Sequence, residues 1–242
     1  MSTADTTRPH TNRILSALPR DEYERISPRL EYTPLTPSKI LYRPGESIAH
    51  VYFPLRGTVS IIAMMEDGRE VEVGIVGREG MLGLPLVLGT DTAPLKAAVQ
   101  VPDGAMRLRA GAFGEELERG KGLRRLLLRY AQAFFIQTAI TAACNRLHPL
   151  DGRLARWLLM TKDRAQSSTL PLTQEFLSIM LGVRRAGVTE ACGALAGAGL
   201  IENKRGRIRI ADPQGLERAS CECYEIVRRE YNRLLGAETH YE

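Results

Sequence analysis

Residues 170–210 read LPLTQEFLSIMLGVRRAGVTEACGALAGAGLIENKRGRIRI, and the spacing here predicts two short helices joined by a sharp turn, followed by a basic β-hairpin. Thr173 is placed to cap the first helix through its hydroxyl, with Glu175 in the first turn, where the helix dipole favours negative charge. That helix is expected to run to about Leu181, where Gly182 supplies the positive φ that ends it and Val183 plugs the turn. The second helix is expected from Arg184 or Arg185 to Gly199. In it Val188, Ala191, Cys192 and Leu195 fall at i, i+3, i+4, i+7 and form one buried stripe. Arg185, Ala186, Thr189, Glu190 and Gly193 then occupy the opposite, open arc. In the hairpin, Ile208 and Ile210 alternate with Arg207 and Arg209, which puts isoleucines inward and guanidiniums outward around the cationic turn Lys204-Arg205-Gly206.

This is the pattern of a helix-turn-helix with a basic wing. The open arc of the second helix is the face that such a unit offers to a DNA major groove. Arg185 is placed to grip guanine O6 and N7 as a fork, with Thr189 and Glu190 tuning the choice, Glu190 by accepting from a cytosine amino group. Arg184, Lys204, Arg205 and Arg207 are candidates for holding phosphates. The charge is placed rather than spread: residues 184–210 hold six Lys or Arg against two Glu, whereas residues 211–242 hold seven acids against four arginines. Against this stand Gly187, Gly193 and Gly197, each costing a helix about 1 kcal/mol relative to alanine. The second helix therefore leans on tertiary packing and on its target. A small-molecule-binding or protein-adaptor module whose helix-turn-helix no longer binds DNA stays open on these residues alone.

At 242 residues the chain has room for two cores. A formal charge of +5 and a pI near 9.2 suit a nucleic-acid partner without demanding one. No run of eighteen apolar residues exists, so no membrane span is expected, and the start, MSTADTTRPHTNR, lacks the apolar region of a secretory signal. Four scattered cysteines, Cys144, Cys192, Cys221 and Cys223, do not make a disulfide framework, and a reducing cytoplasm is the expected location.

In chain order, residues before Asn12 are expected to fray, and residues 14–30, interrupted by Pro19, to form two short helical pieces. From Tyr32 to about Arg109, runs such as ILYRPGE, HVYFPLRGTVSIIAMM, EVEVGIV, PLVLG, LKAAVQV and AMRLRA alternate with turn signals. That rhythm predicts an antiparallel roll or jelly roll, with Glu66-Asp67-Gly68 as its clearest hairpin turn. A short helix is expected over residues 113–117. After the Gly120-Lys121-Gly122 break a long helix follows, in which Leu123, Leu127, Tyr130, Phe134, Gln137, Thr141 and Cys144 repeat at 4, 3, 4, 3, 4, 3. This seam suits a twin helix from a second copy. Leu126, Leu128, Phe135, Ile136 and Ile140 lie off it and suit the β-domain. Pro149 ends that helix, a further one is expected over residues 151–164 with Leu154, Trp157, Leu158 and Met160 inward, and one more over 214–235. The expected architecture is α+β: a β-roll sensor over residues 12–120, a dimerisation helix over 121–148 and a winged helix-turn-helix over 149–242.

This order resembles the Crp/Fnr family of bacterial transcription regulators. The resemblance rests on Leu172-Thr173-Gln174, Leu181-Gly182-Val183, Arg185-x-x-Val188-Thr189, Gly199-Leu200-Ile201 and Arg205-Gly206-Arg207-Ile208, with weaker echoes in residues 40–46 and in Gly57-Thr58-Val59. It implies a homodimer on a two-fold, double-stranded DNA operator, with RNA polymerase as a further partner. Cyclic-AMP-binding members carry a Gly-Glu on a phosphate-cradling turn and an Arg-Ser before a later strand. Here those places read Gly83-Leu84-Pro85 and Leu95-Lys96, so Gly83, Leu84, Leu95 and Lys96 mark an effector pocket from which the ribose carboxylate and the phosphate-forking arginine are missing. Lys96 offers a point charge rather than a planar fork. Cyclic AMP is not expected, and an unidentified small-molecule effector stays open. Oxygen-sensing members use cysteines near the amino terminus, and none precedes Cys144. Ala186 and Glu190 stand where the family usually has Glu and often Arg, which implies a different operator.

Cys221-Glu222-Cys223 invites a metal or redox reading. Within a continuous helix, however, the two sulfurs point about 200° apart and cannot share one ion unless the helix breaks. Packing cysteines are the simpler reading, with a thiol sensor activated by Arg218 as the alternative. His10, His50, His148 and His240 are isolated in sequence, and no metal ligand set or resident cofactor is assigned. No Ser-His-Asp arrangement, phosphate-binding loop or dinucleotide fingerprint appears, so no enzymatic role is expected.

Overall fold

A computed structural model describes residues 12–236; the expectation of a frayed amino terminus, together with His10 and His240, lies outside that range. The chain opens with α1 (Arg13–Ser16) and α2 (Arg20–Ile26), followed by β1 (Glu31–Leu35), β2 (Ile40–Tyr42), β3 (His50–Pro54), β4 (Thr58–Met64) and β5 (Glu70–Val76). After α3 (Leu84–Val87) come β6 (Lys96–Val101), β7 (Asp103–Arg109), α4 (Ala110–Arg119) and the long α5 (Lys121–Leu147). The carboxy-terminal half holds α6 (Leu150–Ala165), β8 (Thr169–Leu170), α7 (Gln174–Leu181), α8 (Arg185–Gly197), β9 (Ile201–Lys204), β10 (Arg207–Ile210), α9 (Pro213–Ala219) and α10 (Cys223–Leu235).

Two antiparallel sheets, ordered β1-β7-β3 and β2-β6-β4-β5, make the amino-terminal roll. Val59, Val76, Ala97 and Val99 from the larger sheet meet Leu35 and Ala105 from the smaller one in its interior. The β4–β5 hairpin turns where expected, with Gly68 at φ 82°. One local reading is corrected. The run PLVLG is not a strand but the short helix α3: Gly83, at φ 113°, starts it, and Pro85, which has no N–H for a ladder, fits a first helical turn. Residues 31–35, whose Pro34 disguises them, form β1, an edge strand where a proline is tolerated.

The larger correction concerns α5. Of the residues assigned to the dimer seam, Leu123, Leu127, Tyr130 and Gln137 are buried in their own protomer, and Phe134 and Thr141 are half-buried. Close backbone approach explains why. A Cβ at Gly80 would lie 2.3 Å from the Tyr130 ring, and one at Gly74 would lie 2.7 Å from Phe134, so two glycines let this face of α5 seat on the roll. Tyr130 donates its hydroxyl to the Met81 carbonyl (3.1 Å) and Gln137 its amide to Ile75 (3.1 Å). Glu22 of α2 caps the start of α5, accepting from the backbone N–H groups of Gly122 (2.9 Å) and Leu123 (2.7 Å). The opposite face is the free one: Leu128, Gln132, Phe135, Ala139 and Ala142, again at 4, 3, 4, 3 spacing, are all exposed, Phe135 to 72%.

The two halves share a core and a polar joint. Arg164 of α6 is buried; its Nε donates to Glu79 at 2.8 Å and its Nη2 to the Gln137 side chain at 2.6 Å, tying the loop after β5, α5 and α6 together. Trp157 of α6 donates its indole N–H to Glu72 of β5 (2.7 Å), which also accepts from Ser60 (2.6 Å). Burial raises the Glu72 carboxyl to about pH 7 against the opposing pull of these two hydrogen bonds. A carboxyl with a raised folded-state pKa stabilises the fold below its unfolded pKa, and that contribution is lost as pH rises through about 7. Wild-type stability is therefore expected to fall by on the order of 1–3 kcal/mol between pH 5 and 8 relative to Glu72→Gln, which keeps the acceptor for Trp157 without the charge. Urea unfolding followed by the fluorescence of Trp157, the only tryptophan, reads this difference. Parallel pH profiles for the two proteins would contradict it.

Candidate nucleic-acid interface and effector cavity

The helix-turn-helix forms as its residues dictate. Thr173 accepts from the Phe176 N–H at 3.1 Å and caps α7, and Gly182, at φ 64°, ends it. Val188, Ala191, Cys192 and Leu195 are the buried residues of α8, and Arg185, Ala186, Thr189, Glu190 and Gly193 are all exposed. Despite three glycines α8 is continuous from Arg185 to Gly197, one side held by packing against α6. The wing turns on Arg205 (φ 41°) and Gly206 (φ 77°), the two left-handed residues of a tight hairpin, and pairs Arg207 with Lys204. Ile208 and Ile210 are buried while Arg207 and Arg209 are exposed. A third strand that the sequence reading passes over, β8, pairs with β10 and anchors the wing to the segment leading into α7.

Electrostatics separate the candidate cations. Arg209 is tied to Glu202, and its guanidinium holds that carboxyl below the usual carboxylate range. Lys204 lies 3.7 Å from the same Glu202, an exposed contact of small energetic weight. Arg184, Arg185, Arg205 and Arg207 are exposed or nearly so, and none makes an ion pair among the described residues. The Thr189 hydroxyl lies 2.9 Å from the side-chain amide oxygen of Gln174 and 3.1 Å from the backbone carbonyl of Arg185, so it links α8 to the start of α7.

In the roll, Gly83, Leu84 and Leu95 do meet at one cavity, of about 210 Å³, closed on its other side by Tyr130 and Phe134 of α5. No charged side chain lines it. Its two tyrosine hydroxyls are committed to backbone carbonyls, Tyr42 to His50 (2.7 Å) and Tyr130 to Met81 (3.1 Å). Lys96 is not part of it. Its ammonium contacts both oxygens of Glu70, at 2.8 and 2.9 Å, on the other side of the strand, which corrects its assignment to the pocket. Gly83 is obligatory, since a Cβ there would meet Val51 at 2.6 Å.

The helix expected over residues 214–235 is instead two, broken at residues 220–222. Consequently Cys221 and Cys223 do not lie 200° apart on one helix but converge with Cys144 and His148 at the end of α5, a meeting that no local spacing announces. Arg218 pairs with Asp212 (3.9 Å).

With this geometry the comparisons with known proteins agree. Residues 33–119 match the cyclic nucleotide-binding domain family, and residues 152–219 match the Crp-like helix-turn-helix domain family. The chain is 24% identical over 188 residues to the global nitrogen regulator of Synechocystis sp., covering 74% of this chain and 84% of that one. It is 25% identical over 190 residues to that of Nostoc sp., covering 75% and 85%. It shares the fold of FixK2 from Bradyrhizobium japonicum (TM-score 0.67, 16% identity, 79% of this chain and 98% of that one). A structure from Eubacterium rectale assigned to the Crp/Fnr family is similar to it too (TM-score 0.65, 17% identity, 85% and 96%). The chain thus joins a cyclic nucleotide-binding domain to a Crp-like helix-turn-helix domain, in the order and fold of a solved structure assigned to the Crp/Fnr family of transcription regulators.

Proposed function

We propose that this chain is a homodimeric, sequence-specific transcriptional regulator that reads a two-fold operator with one α8 from each protomer. The observation that carries the reading is the quartet Arg184, Arg185, Arg205 and Arg207: exposed, unpaired among the described residues, and gathered at the tip of α8 and on the wing. Guanidiniums without internal partners at the helix-turn-helix favour an external polyanion. Arg185 reads a base edge and Glu190 tunes the choice. Thr189, its hydroxyl engaged, contributes through its methyl group, which suits a thymine. A Cβ at Gly193 or Gly197 would meet nothing within 4 Å, so packing does not demand glycine there, and close approach to a duplex gives the reason for its helix cost. The location is the cytoplasm, and RNA polymerase is a partner by family resemblance; among the described residues no helix is long and apolar enough to cross a membrane.

The second copy docks on the free face of α5. Leu128, Phe135 and Ala139 form an apolar stripe that a lone protomer would leave in water. The effector, where one acts, is a small apolar molecule in the cavity beneath α5. A cyclic nucleotide would bury its phosphate there with no cation and no free hydroxyl to meet it.

Fluorescence anisotropy on duplexes selected from the region upstream of the gene tests the DNA reading. Arg185→Ala is expected to lose about 1–3 kcal/mol on the selected site and to relax preference at one base pair. Arg205→Ala is expected to weaken selected and random duplexes alike and to lower the salt slope by about one. Equal losses from both variants on both duplexes would contradict the division of roles. Phe135→Asp is expected to yield a monomer in sedimentation with the circular dichroism of the wild type, whereas Gln132→Ala should remain dimeric; a dimeric Phe135→Asp would move the interface elsewhere. A ligand at about 100 times its Kd adds about 2.7 kcal/mol to stability. Saturating cyclic AMP is expected to leave the melting temperature unchanged, and a clear rise would overturn the apolar-cavity reading.

A further inference from the structure

Four side chains from segments far apart in sequence converge where α5 gives way to α6. Cys144 lies in the last turn of α5 and His148 just beyond it, while Cys221 lies in the break between α9 and α10 and Cys223 opens α10. Their ligating atoms all lie within 4.8 Å of one another. Cys144 Sγ is 3.4 Å from Cys221 Sγ, and Cys223 Sγ is 3.6 Å from His148 Nδ1. A tetrahedral ion with metal–sulfur bonds of about 2.3 Å sets its ligand atoms about 3.8 Å apart, which edges of 3.4 and 3.6 Å with no ligand pair beyond 4.8 Å fit. An iron–sulfur cluster would spread its thiolates around a body of several atoms, for which contacts this short leave no room.

Two further features point to a metal rather than to thiols in casual contact. The first is the orientation of His148: Nδ1 faces Cys223, and Nε2 lies 3.1 Å from the Glu222 carboxylate. A carboxylate holding the outer nitrogen of an imidazole is the arrangement that fixes the tautomer of a metal-bound histidine. The second is charge. Arg153 and Arg156, in the first turns of α6, are buried and make no ion pair among the described residues, and the Nε of each has no hydrogen-bond partner. Both lie within electrostatic reach of the cysteines, Arg153 of Cys144 and Cys221, Arg156 of Cys144, Cys221 and Cys223 as well as of Glu72. Buried cations need a compensating negative charge, and three thiolates on a divalent ion leave a net charge of about −1.

We propose that Cys144, His148, Cys221 and Cys223 form a closed Cys3His site for one zinc ion. With four protein ligands and no open position the site is structural. It staples the junction of α5 and α6 to the junction of α9 and α10, and so fixes the angle between the helix that carries the free apolar face and the domain that carries α8. Loading releases the thiol protons to solvent as the sulfurs ligate. The existence of the site does not depend on the DNA reading; its effect on operator geometry does.

The test uses the full chain purified under reducing conditions. Elemental analysis is expected to find about one zinc per chain. After chelation, cobalt(II) is expected to give the visible bands of a tetrahedral ion together with thiolate charge-transfer absorption, both bleached by about one equivalent of zinc. Cys223→Ser and His148→Ala should lose stoichiometric zinc. Glu222→Ala, which touches no metal, should weaken zinc affinity by roughly tenfold while leaving the cobalt spectrum tetrahedral. Chelation should lower the melting temperature of the wild type. If the cysteine variants aggregate, the wild-type cobalt spectrum decides. A chain with four titratable thiols that takes up neither ion, one that binds cobalt only in an octahedral spectrum, or one that closes a Cys144–Cys221 disulfide without binding metal would each overturn the proposal. Loss of zinc with DNA affinity unchanged would leave the site standing and refute its role in setting operator geometry.

Discussion

The seat of α5 against the β-roll is the constraint from which the rest of the molecule follows. A helix apolar on more than one side needs more than one cover, and here one cover is internal. Gly74 and Gly80 remove the side chains that would hold Phe134 and Tyr130 off the sheet, and Gln137 and Tyr130 satisfy backbone carbonyls as they descend. Once that face is spent, Leu128 and Phe135 are left exposed on the protomer, and this is the face on which the proposed second copy docks. The same seat makes α5 the roof of the apolar cavity, so a ligand under Tyr130 and Phe134 would press on the helix whose other face is proposed to join two copies. Coupling between sites needs an element that both can bias, and α5 is in contact with each.

From α5 the constraint passes into the DNA-binding half through buried polar contacts rather than through a flexible linker. Glu79, Arg164 and Gln137 form one network across three elements, and Trp157 reaches Glu72 in the sheet. Breaking such a network by removing one partner leaves an uncompensated buried charge at a cost of about 3–5 kcal/mol, so the domains are positioned with respect to each other. The convergence of Cys144, His148, Cys221 and Cys223 brings the end of α5 and the break between α9 and α10 together beside the start of α6, where the proposed zinc would add a second tie.

Local signals were legible in the sequence and long-range ones were not. Thr173, Gly182 and the 3-4 stripe of α8 specify the helix-turn-helix because capping, left-handed φ and periodicity are properties of a few adjacent residues. The wing follows from period-2 alternation and a Gly turn. The heptad in α5 was visible too, but periodicity says that a face is buried and not by what. Gly74 of β5 and Gly80 in the loop beyond it admit Phe134 and Tyr130 to the roll, a contact that no spacing within α5 announces. Lys96 is not a pocket residue for a similar reason: Glu70, two strands over in the same sheet and 26 positions away, claims it. The cysteine cluster was hidden by one assumption, a continuous helix over residues 214–235, which the break at residues 220–222 removes.

The claim on which these threads meet is that two copies, joined along the free face of α5, present their α8 helices to successive turns of one DNA duplex. Hydroxyl-radical footprinting of the full chain on its selected duplex tests it most directly. Two equivalent protected windows, related by a two-fold axis and centred about ten base pairs or a whole multiple of that apart, are the predicted result. A single window on every bound duplex would contradict it.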